Sequence, residues 1–510
     1  MNVICVLMDT FRRDHMSCYG NPWIQTPNLE RFANEGARFE NAYIGSYPCM
    51  PARQDLWTGR VNFLWRGWSP LEYDQDDLPT LVRQHGTTSM LITDHYHLWQ
   101  YGSGNYHFGF DGVDLIRGQE NDNWITSPDI QIQYPAAPEK LNRNWPKYFR
   151  NTAHFRTEED YFAGQVFQKA MDWVESNKNL EQFFLLIDGF DPHEPFDPPA
   201  GYADLYNPGY TGESIVWPRY GPADRFTADE VAQIHALYCG EITYVDHWFG
   251  KFHRKLEELG LMKDTMVIVT SDHGFLFGEH NWVGKHARIL YEDIARTPLL
   301  IQSPEITPGV VYQNPVQMAD ITPTILQALG IDPPTDMHGK SLIPLWNPQD
   351  STPDGDIRSR SEILFGVFGG PIYCTDGEWV FVKKPVEGNT PLYWYTHSHY
   401  NNWNFGQQNS LQDSKDRLQI WDGARFPVQY ENARPGHAAP RMLRQHADYT
   451  THVPDALDEL YLVSEDPMQE RNRIAEGDVA NRMRDTLERS LRHLEAPPEQ
   501  WIRLGLGEHG

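Results

Sequence analysis

Five of the 510 residues are cysteine, and Cys49 stands in a context unlike that of Cys5, Cys18, Cys239 or Cys374. It opens the run Cys49-Met50-Pro51-Ala52-Arg53, followed by Leu56-Trp57-Thr58-Gly59-Arg60. A guanidinium four residues on from the sulfur lies about one helical turn away, within reach of a group carried at position 49. Three more candidate groups fall at the ends of apolar runs. Asp9 follows residues 3–8, and Asp272 and His273 follow residues 265–270. Two hard carboxylates and an imidazole at two strand ends suit Ca²⁺, Mn²⁺ or Mg²⁺ better than a soft-ligand metal. One strand-terminal Asp commonly caps a turn, so the metal reading draws on the wider pattern.

The elements that must position these groups alternate between strands and helices. Residues 3–8 form a continuous apolar run, as for a strand buried on both faces. Thr26-Pro27 predicts a helix start with Thr26 as N-cap, and Gly36 its end. Helices are expected at 78–85, 159–177 and 319–329, with one long helix or two over 227–261. Further strands are expected at 89–93, 183–187, 265–270 and 298–301. This alternation predicts an α/β fold, a large mostly parallel sheet sandwiched by helices, with ligands at the C-terminal strand ends. Residues 339–358 are rich in Pro, Asp and Ser and mark a boundary. The expected domains are 1–355, catalytic, and 356–510, a smaller α+β subdomain with an antiparallel sheet and a closing helix at 480–494. Residues around 385–450 lack periodicity and read as a long insertion, a candidate lid or oligomer contact.

The net charge is −27 and the pI about 5.1. That field repels polyanions, so no nucleic-acid partner is expected, while a local cationic pocket for a small anion remains compatible. The N-terminal apolar run lacks a basic flank and is too short for a signal peptide or a membrane span, which predicts a cytoplasmic protein without a membrane partner. The odd, sparse cysteines predict no disulfide framework, and no CxxC or Cys/His motif indicates zinc.

The spacing Cys49-x-Pro51-x-Arg53 with a trailing Thr58-Gly59 resembles the signature of the sulfatase family, the formylglycine-dependent type I enzymes of the alkaline phosphatase superfamily. Further segments match in order. They are Asp9, Thr26-Pro27-Asn28-Leu29, Asp94-His95-Tyr96-His97 with Gly109-Phe110-Asp111, and Asp191-Pro192-His193-Glu194-Pro195-Phe196. Beyond these come Ser271-Asp272-His273-Gly274, Gly278-Glu279-His280, Lys285, Glu459-Leu460-Tyr461 and Asp466-Pro467.

The resemblance implies a set of roles. A formylglycine-generating enzyme oxidises Cys49 to 3-oxoalanine (formylglycine) on the unfolded chain. One divalent ion, Ca²⁺ or Mn²⁺, is held by Asp9, Asp272, His273 and position 49. One hydroxyl of the aldehyde hydrate attacks sulfur, and the other expels sulfate to regenerate the aldehyde. Arg53 holds the hydrate. Lys285 binds sulfate oxygens and assists the leaving oxygen. His193 contacts substrate and acts as general acid, His97 is the base that breaks down the sulfated intermediate, and His95 contacts substrate. The substrate is a small-molecule or saccharide sulfate ester.

Asp9 is followed by Thr10 rather than a second Asp, and Asp272 by His273 rather than Asn. These departures look like the iduronate-sulfatase, choline-sulfatase and phosphonate-monoester-hydrolase branches and leave Ca²⁺ and Mn²⁺ open. His95 stands where the family has a lysine. The alternative is phosphonate monoester or phosphodiester hydrolysis, because those substrates also carry one negative charge; His97 favours the sulfatase branch. A catalytically silent binder of sulfated ligands is the third reading, and intact Cys49, Arg53 and Lys285 speak against it. His280 reads as structural, and His107, His397, His399 and His452 carry no motif. The aromatic insertion leaves homo-oligomer formation open.

Overall fold

Eight strands form one sheet: Asn2–Met8 (β1), Ala37–Phe39 (β2), Thr88–Thr93 (β3), Gly112–Leu115 (β4), Phe183–Gly189 (β5), Thr265–Thr270 (β6), Leu299–Gln302 (β7) and Val310–Tyr312 (β8). Their order is β8-β2-β7-β6-β1-β5-β3-β4. All run parallel except β7, which is antiparallel to both of its neighbours. This computed structural model describes residues 1–72, 76–100, 102–142, 145–286, 289–349, 357–396, 418–420, 443–447 and 457–507.

The continuous apolar run of β1 follows from its place at the centre of the sheet. Ile4, Val6 and Met8 pack against one layer, with residues of the helices Phe162–Asn177 and Ala228–Glu258. Val3, Cys5 and Leu7 face the other, with residues of Cys49–Thr58, Leu78–His85 and Ile321–Ala328. Burying each such side chain contributes about 1.5–3 kcal/mol, so the strand ends are rigidly placed.

The span expected to hold one helix or two is a single helix, Ala228–Glu258, closed at its start by a capping box between Thr227 and Glu230. Thr26 does not cap the helix Pro27–Glu35 through its side chain. Its Oγ1 accepts instead from the Ser17 amide, and Asp246 on the long helix accepts from the amides of Asn28 and Leu29. A tertiary carboxylate replaces the local cap.

A second sheet joins Glu459–Leu462, Trp379–Lys383, Ile372–Thr375, Ile363–Val367 and Ser46–Tyr47, in that order. It is antiparallel apart from Ser46–Tyr47, which runs parallel to Ile363–Val367. The helix Gly477–His493 packs against it through Met483, Leu487 and Leu491. The boundary expected at 355/356 lies outside the described residues, as do His397, His399, His452 and most of the 385–450 insertion. Within that insertion, Tyr393–Thr396, Leu418–Ile420 and Leu443–His446 form a three-stranded antiparallel sheet. Among the described residues no helix is long and apolar enough to cross a membrane.

Candidate active site

The C-terminal ends of three adjacent strands, β1, β5 and β6, supply the carboxylates. Asp9 leaves β1 with its amide donating to Gly189 O at 3.0 Å. The next residue, Thr10, has φ 60°, a left-handed conformation that is uncommon for a β-branched residue. That turn points two donors at the site. The Thr10 hydroxyl donates to Asp9 Oδ1 at 2.7 Å, and its amide donates to Asp272 Oδ1 at 2.9 Å. The His273 amide donates to the same Asp272 oxygen at 2.8 Å. Gly274 follows because the chain there presses on the Asp293 carbonyl; a Cβ would lie 1.9 Å from that oxygen.

Cys49 is the first residue of the helix Cys49–Thr58, every residue of which is buried. Its Sγ lies 3.1 Å from His273 Nε2. Ligand atoms of Asp9, Cys49, Asp272 and His273 all fall within 4.8 Å of one another. His273 Nδ1 is 3.0 Å from Gly274 O, so that nitrogen carries the hydrogen and Nε2 turns its lone pair to the cluster. Two carboxylates and an oriented imidazole form a donor set that fits a divalent ion of the hard, oxygen-preferring kind.

Arg53, one turn after Cys49, is wholly buried. Its Nη1 bridges Asp9 Oδ2 at 2.9 Å and Asp272 Oδ2 at 3.0 Å, and reaches Cys49 O at 3.3 Å. Its Nε and Nη2 grip both oxygens of Asp188 at 3.0 and 2.6 Å. Burial acts to raise Asp9, but the surrounding His193, Arg53, His95 and Lys285 hold it well below the usual carboxylate range. Burial and the neighbouring Asp9 push Asp272 up, so the two carboxylates divide one burden of charge. Burial and Asp9 likewise push the Cys49 thiol well above its ordinary value.

Lys285 approaches from the opposite side, with Nζ 3.6 Å from Cys49 Sγ, in contact with His193 Nε2 and 3.7 Å from Glu194 Oε1. Burial lowers its proton affinity, but Cys49, Glu194, Asp9 and Asp272 outweigh that and hold it above an ordinary lysine. His193 Nδ1 is 2.5 Å from Glu194 O, so Nδ1 donates there and Nε2 accepts from the ammonium. Burial, reinforced by Lys285, keeps His193 neutral, its pKa well below the ordinary histidine value. Burial pushes Glu194 up to about 8 despite Lys285.

A model of the sulfatase family matches residues 1–331. The chain belongs to the sulfatase family. Membership makes it a sulfuric ester hydrolase by class. The chain is 26% identical over 409 residues to the arylsulfatase of Clostridium perfringens, covering 69% of this chain and 79% of that one. It is 27% identical over 408 residues to an N-acetylglucosamine-6-O-sulfatase of Bacteroides thetaiotaomicron, covering 69% and 72%. The phosphonate monoester hydrolase of Agrobacterium radiobacter superposes with a TM-score of 0.65 at 20% identity, over 97% of this chain and 95% of that one. A protein solved in complex with D-glucosamine-2-N,6-O-disulfate superposes at 0.63 and 18%, over 97% and 98%. At those identities the superpositions speak to the fold alone.

This sulfatase draws Asp9, Cys49, Arg53, His193, Asp272, His273 and Lys285 into one connected network. His95, expected to touch substrate, is as fully buried as Asp9, with Nε2 3.2 Å from Asp9 Oδ2. It braces that carboxylate. His97 lies beside it, ring centroids 5.2 Å apart, with Nε2 3.2 Å from Glu120 Oε2 and Nδ1 against Gln100 Oε1. His280 stacks on Tyr291 and takes no part in the cluster. Asp188, Glu120 and Glu194 are not among the site residues expected from the sequence. Asp188 is the penultimate residue of β5, just after an apolar run as Asp9 is after that of β1, and that shared signal identifies it. The other two have no marker beyond their neighbours in the chain.

Proposed function

We propose that this sulfatase cleaves the sulfate ester of a small molecule or saccharide, with formylglycine at position 49 and one Ca²⁺ or Mn²⁺ ion on Asp9, Asp272 and His273. The carrying observation is the convergence of Asp9, Cys49, Asp272 and His273 within 4.8 Å. When present, the aldehyde hydrate supplies the nucleophile and the ion supplies charge that lowers its pKa and steadies the transferring group.

The chain's own residues do the rest. Arg53 fixes the helix turn that begins at position 49 and neutralises the carboxylates behind it. Lys285, the one ammonium within hydrogen-bond range of Cys49 Sγ among the described residues, holds a sulfate oxygen. The proton for the leaving oxygen resides on Lys285, and neutral His193, accepting from that ammonium, holds it in place, so the two act as a pair rather than His193 alone. His97, held between Glu120 and Gln100 beside His95, is assigned the base role on the family resemblance alone. Burial of the whole set excludes bulk water and strengthens each of these charges.

Phosphonate monoesters and phosphodiesters present the same single negative charge, so the test includes them. The full chain, co-expressed with a formylglycine-generating enzyme, is assayed on aryl sulfate, saccharide sulfate and aryl phosphonate with Ca²⁺ and with Mn²⁺. The peptide holding position 49 is weighed by mass spectrometry. Expected are an aldehyde at position 49, preference for a sulfate ester, and loss of turnover in Cys49→Ala. Turnover by protein with an intact thiol, or preference for the phosphonate, overturns the reading; an unoxidised thiol with no turnover supports the silent binder.

A further inference from the structure

Three donors of another kind converge away from the catalytic carboxylates. His15 lies on the loop that leaves β1 through Asp9. His235 and Cys239 stand one turn apart on the same face of the helix Ala228–Glu258. Ligand atoms of all three fall within 4.8 Å of one another. The two Nε2 atoms are 2.7 Å apart. His15 Nδ1 is 2.9 Å from Asp14 Oδ1. A carboxylate only accepts, so Nδ1 carries the hydrogen and Nε2 presents its lone pair to His235, the carboxylate–histidine arrangement that orients metal ligands.

We propose that His15, His235 and Cys239 form a second metal site, for a zinc-class ion, with Asp14 orienting His15 and water as the fourth ligand. Two imidazoles and a thiolate suit a borderline-soft ion, whereas the oxygen-rich set at Asp9 and Asp272 suits a hard one, so the two sites sort ions by softness. Tetrahedral bonds of about 2.1 Å put two nitrogens ~3.4 Å apart. The imidazoles therefore open slightly, which His235, only partly buried, can supply. On binding, the Cys239 thiol passes its proton to solvent. The resulting +1 site sits beside Asp14 and Glu279, which pair with Arg12. Trp23, 47% exposed, packs edge-on against both imidazoles at 5.5 and 5.6 Å and covers the solvent side.

Such an ion would clamp the β1 loop to the long helix. Between them, Tyr238 already donates to Thr10 O and accepts from the Arg12 amide, each at 2.8 Å. The motif is invisible in sequence because His15 and His235 are 220 residues apart.

The test uses the full chain carrying Cys49→Ala, so that the catalytic thiol cannot contribute, with cobalt(II) as the probe. Expected is a thiolate-to-cobalt absorption, displaced by zinc, and a zinc-dependent rise in melting temperature. Adding Cys239→Ser removes the absorption and reduces the rise. Adding His235→Gln on the partly exposed side, which leaves the core intact, weakens cobalt binding at least ~10-fold. No absorption in the Cys49→Ala protein, or absorption that persists with Cys239→Ser, overturns the proposal.

Discussion

Arg53→Met keeps side-chain length and removes the charge, and its consequence can be worked from the contacts. The guanidinium serves three carboxylates, all wholly buried. Two of them, Asp9 and Asp272, gain a cation when a divalent ion binds. Asp188 does not belong to that donor set, and both of its oxygens depend on Arg53. Removing one partner of a buried pair typically costs ~3–5 kcal/mol, because the other charge is left unpaired. Thermal melts of the metal-loaded protein should therefore show Arg53→Met well below wild type, and saturating Ca²⁺ or Mn²⁺ should not close the gap. Asp188→Asn in the same chain removes the stranded charge and should recover about half or more of the loss, a coupling of roughly 1.5–3 kcal/mol between adjacent sites. The reasoning is refuted if the double variant melts no higher than Arg53→Met alone, or if the ion restores the single variant fully.

Three further outcomes follow. In His193→Asn, turnover of alkyl sulfates should fall about 10²–10⁴-fold while aryl sulfates with good leaving groups fall much less; equal losses would remove His193 from proton transfer. Glu194 holds its proton up to about pH 8 in the folded chain, against an ordinary value of 4.5. The folded state thus binds that proton more tightly than the unfolded chain. Its stabilising contribution is full below the ordinary value and fades as pH rises toward about 8, so wild-type melting temperature should fall more steeply than that of Glu194→Gln over that window. Parallel pH profiles would discard the assignment. Finally, a chelator should lower the melting temperature and Ca²⁺ or Mn²⁺ at ~100 times the dissociation constant should return about 2.7 kcal/mol; Asp272→Asn should respond to neither, and a variant that responds like wild type rules out the carboxylate cradle.

The parts of this architecture legible in sequence are those whose signal is local. Residues 3–8 of β1 and 266–269 of β6 are apolar without a break, so the polar residues that follow them stand out, Asp9 directly and Asp272 just after Thr270 and Ser271. The turn spacing between Cys49 and Arg53 is likewise a property of one helix. The strand Ser46–Tyr47 is too short to show a period, and its partner lies in the second sheet. Thr26 has the composition of a cap, but Asp246 supplies the acceptor across the fold. Glu120 and Glu194 gain meaning only from His97, His193 and Lys285, which the fold brings to them. The segment of His95 resembles a substrate-binding one, but its contact with Asp9 Oδ2 is made across the fold, with β3 lying next to β5 and β5 next to β1.

The two-residue strand before Cys49 ties the place of that residue to chain made much later. Ser46–Tyr47 gains its sheet partner only when Ile363–Val367 exists. At roughly 5–20 residues per second, a ribosome needs on the order of 15–60 s to travel between them. Under the formylglycine chemistry proposed above, that interval is when the Cys49 segment, still without its final seat, would be open to an oxidising enzyme; in the folded chain the thiol is 3% exposed. Maturation on this view is a race against synthesis, and faster translation of the middle of the message should yield more inert, correctly folded protein.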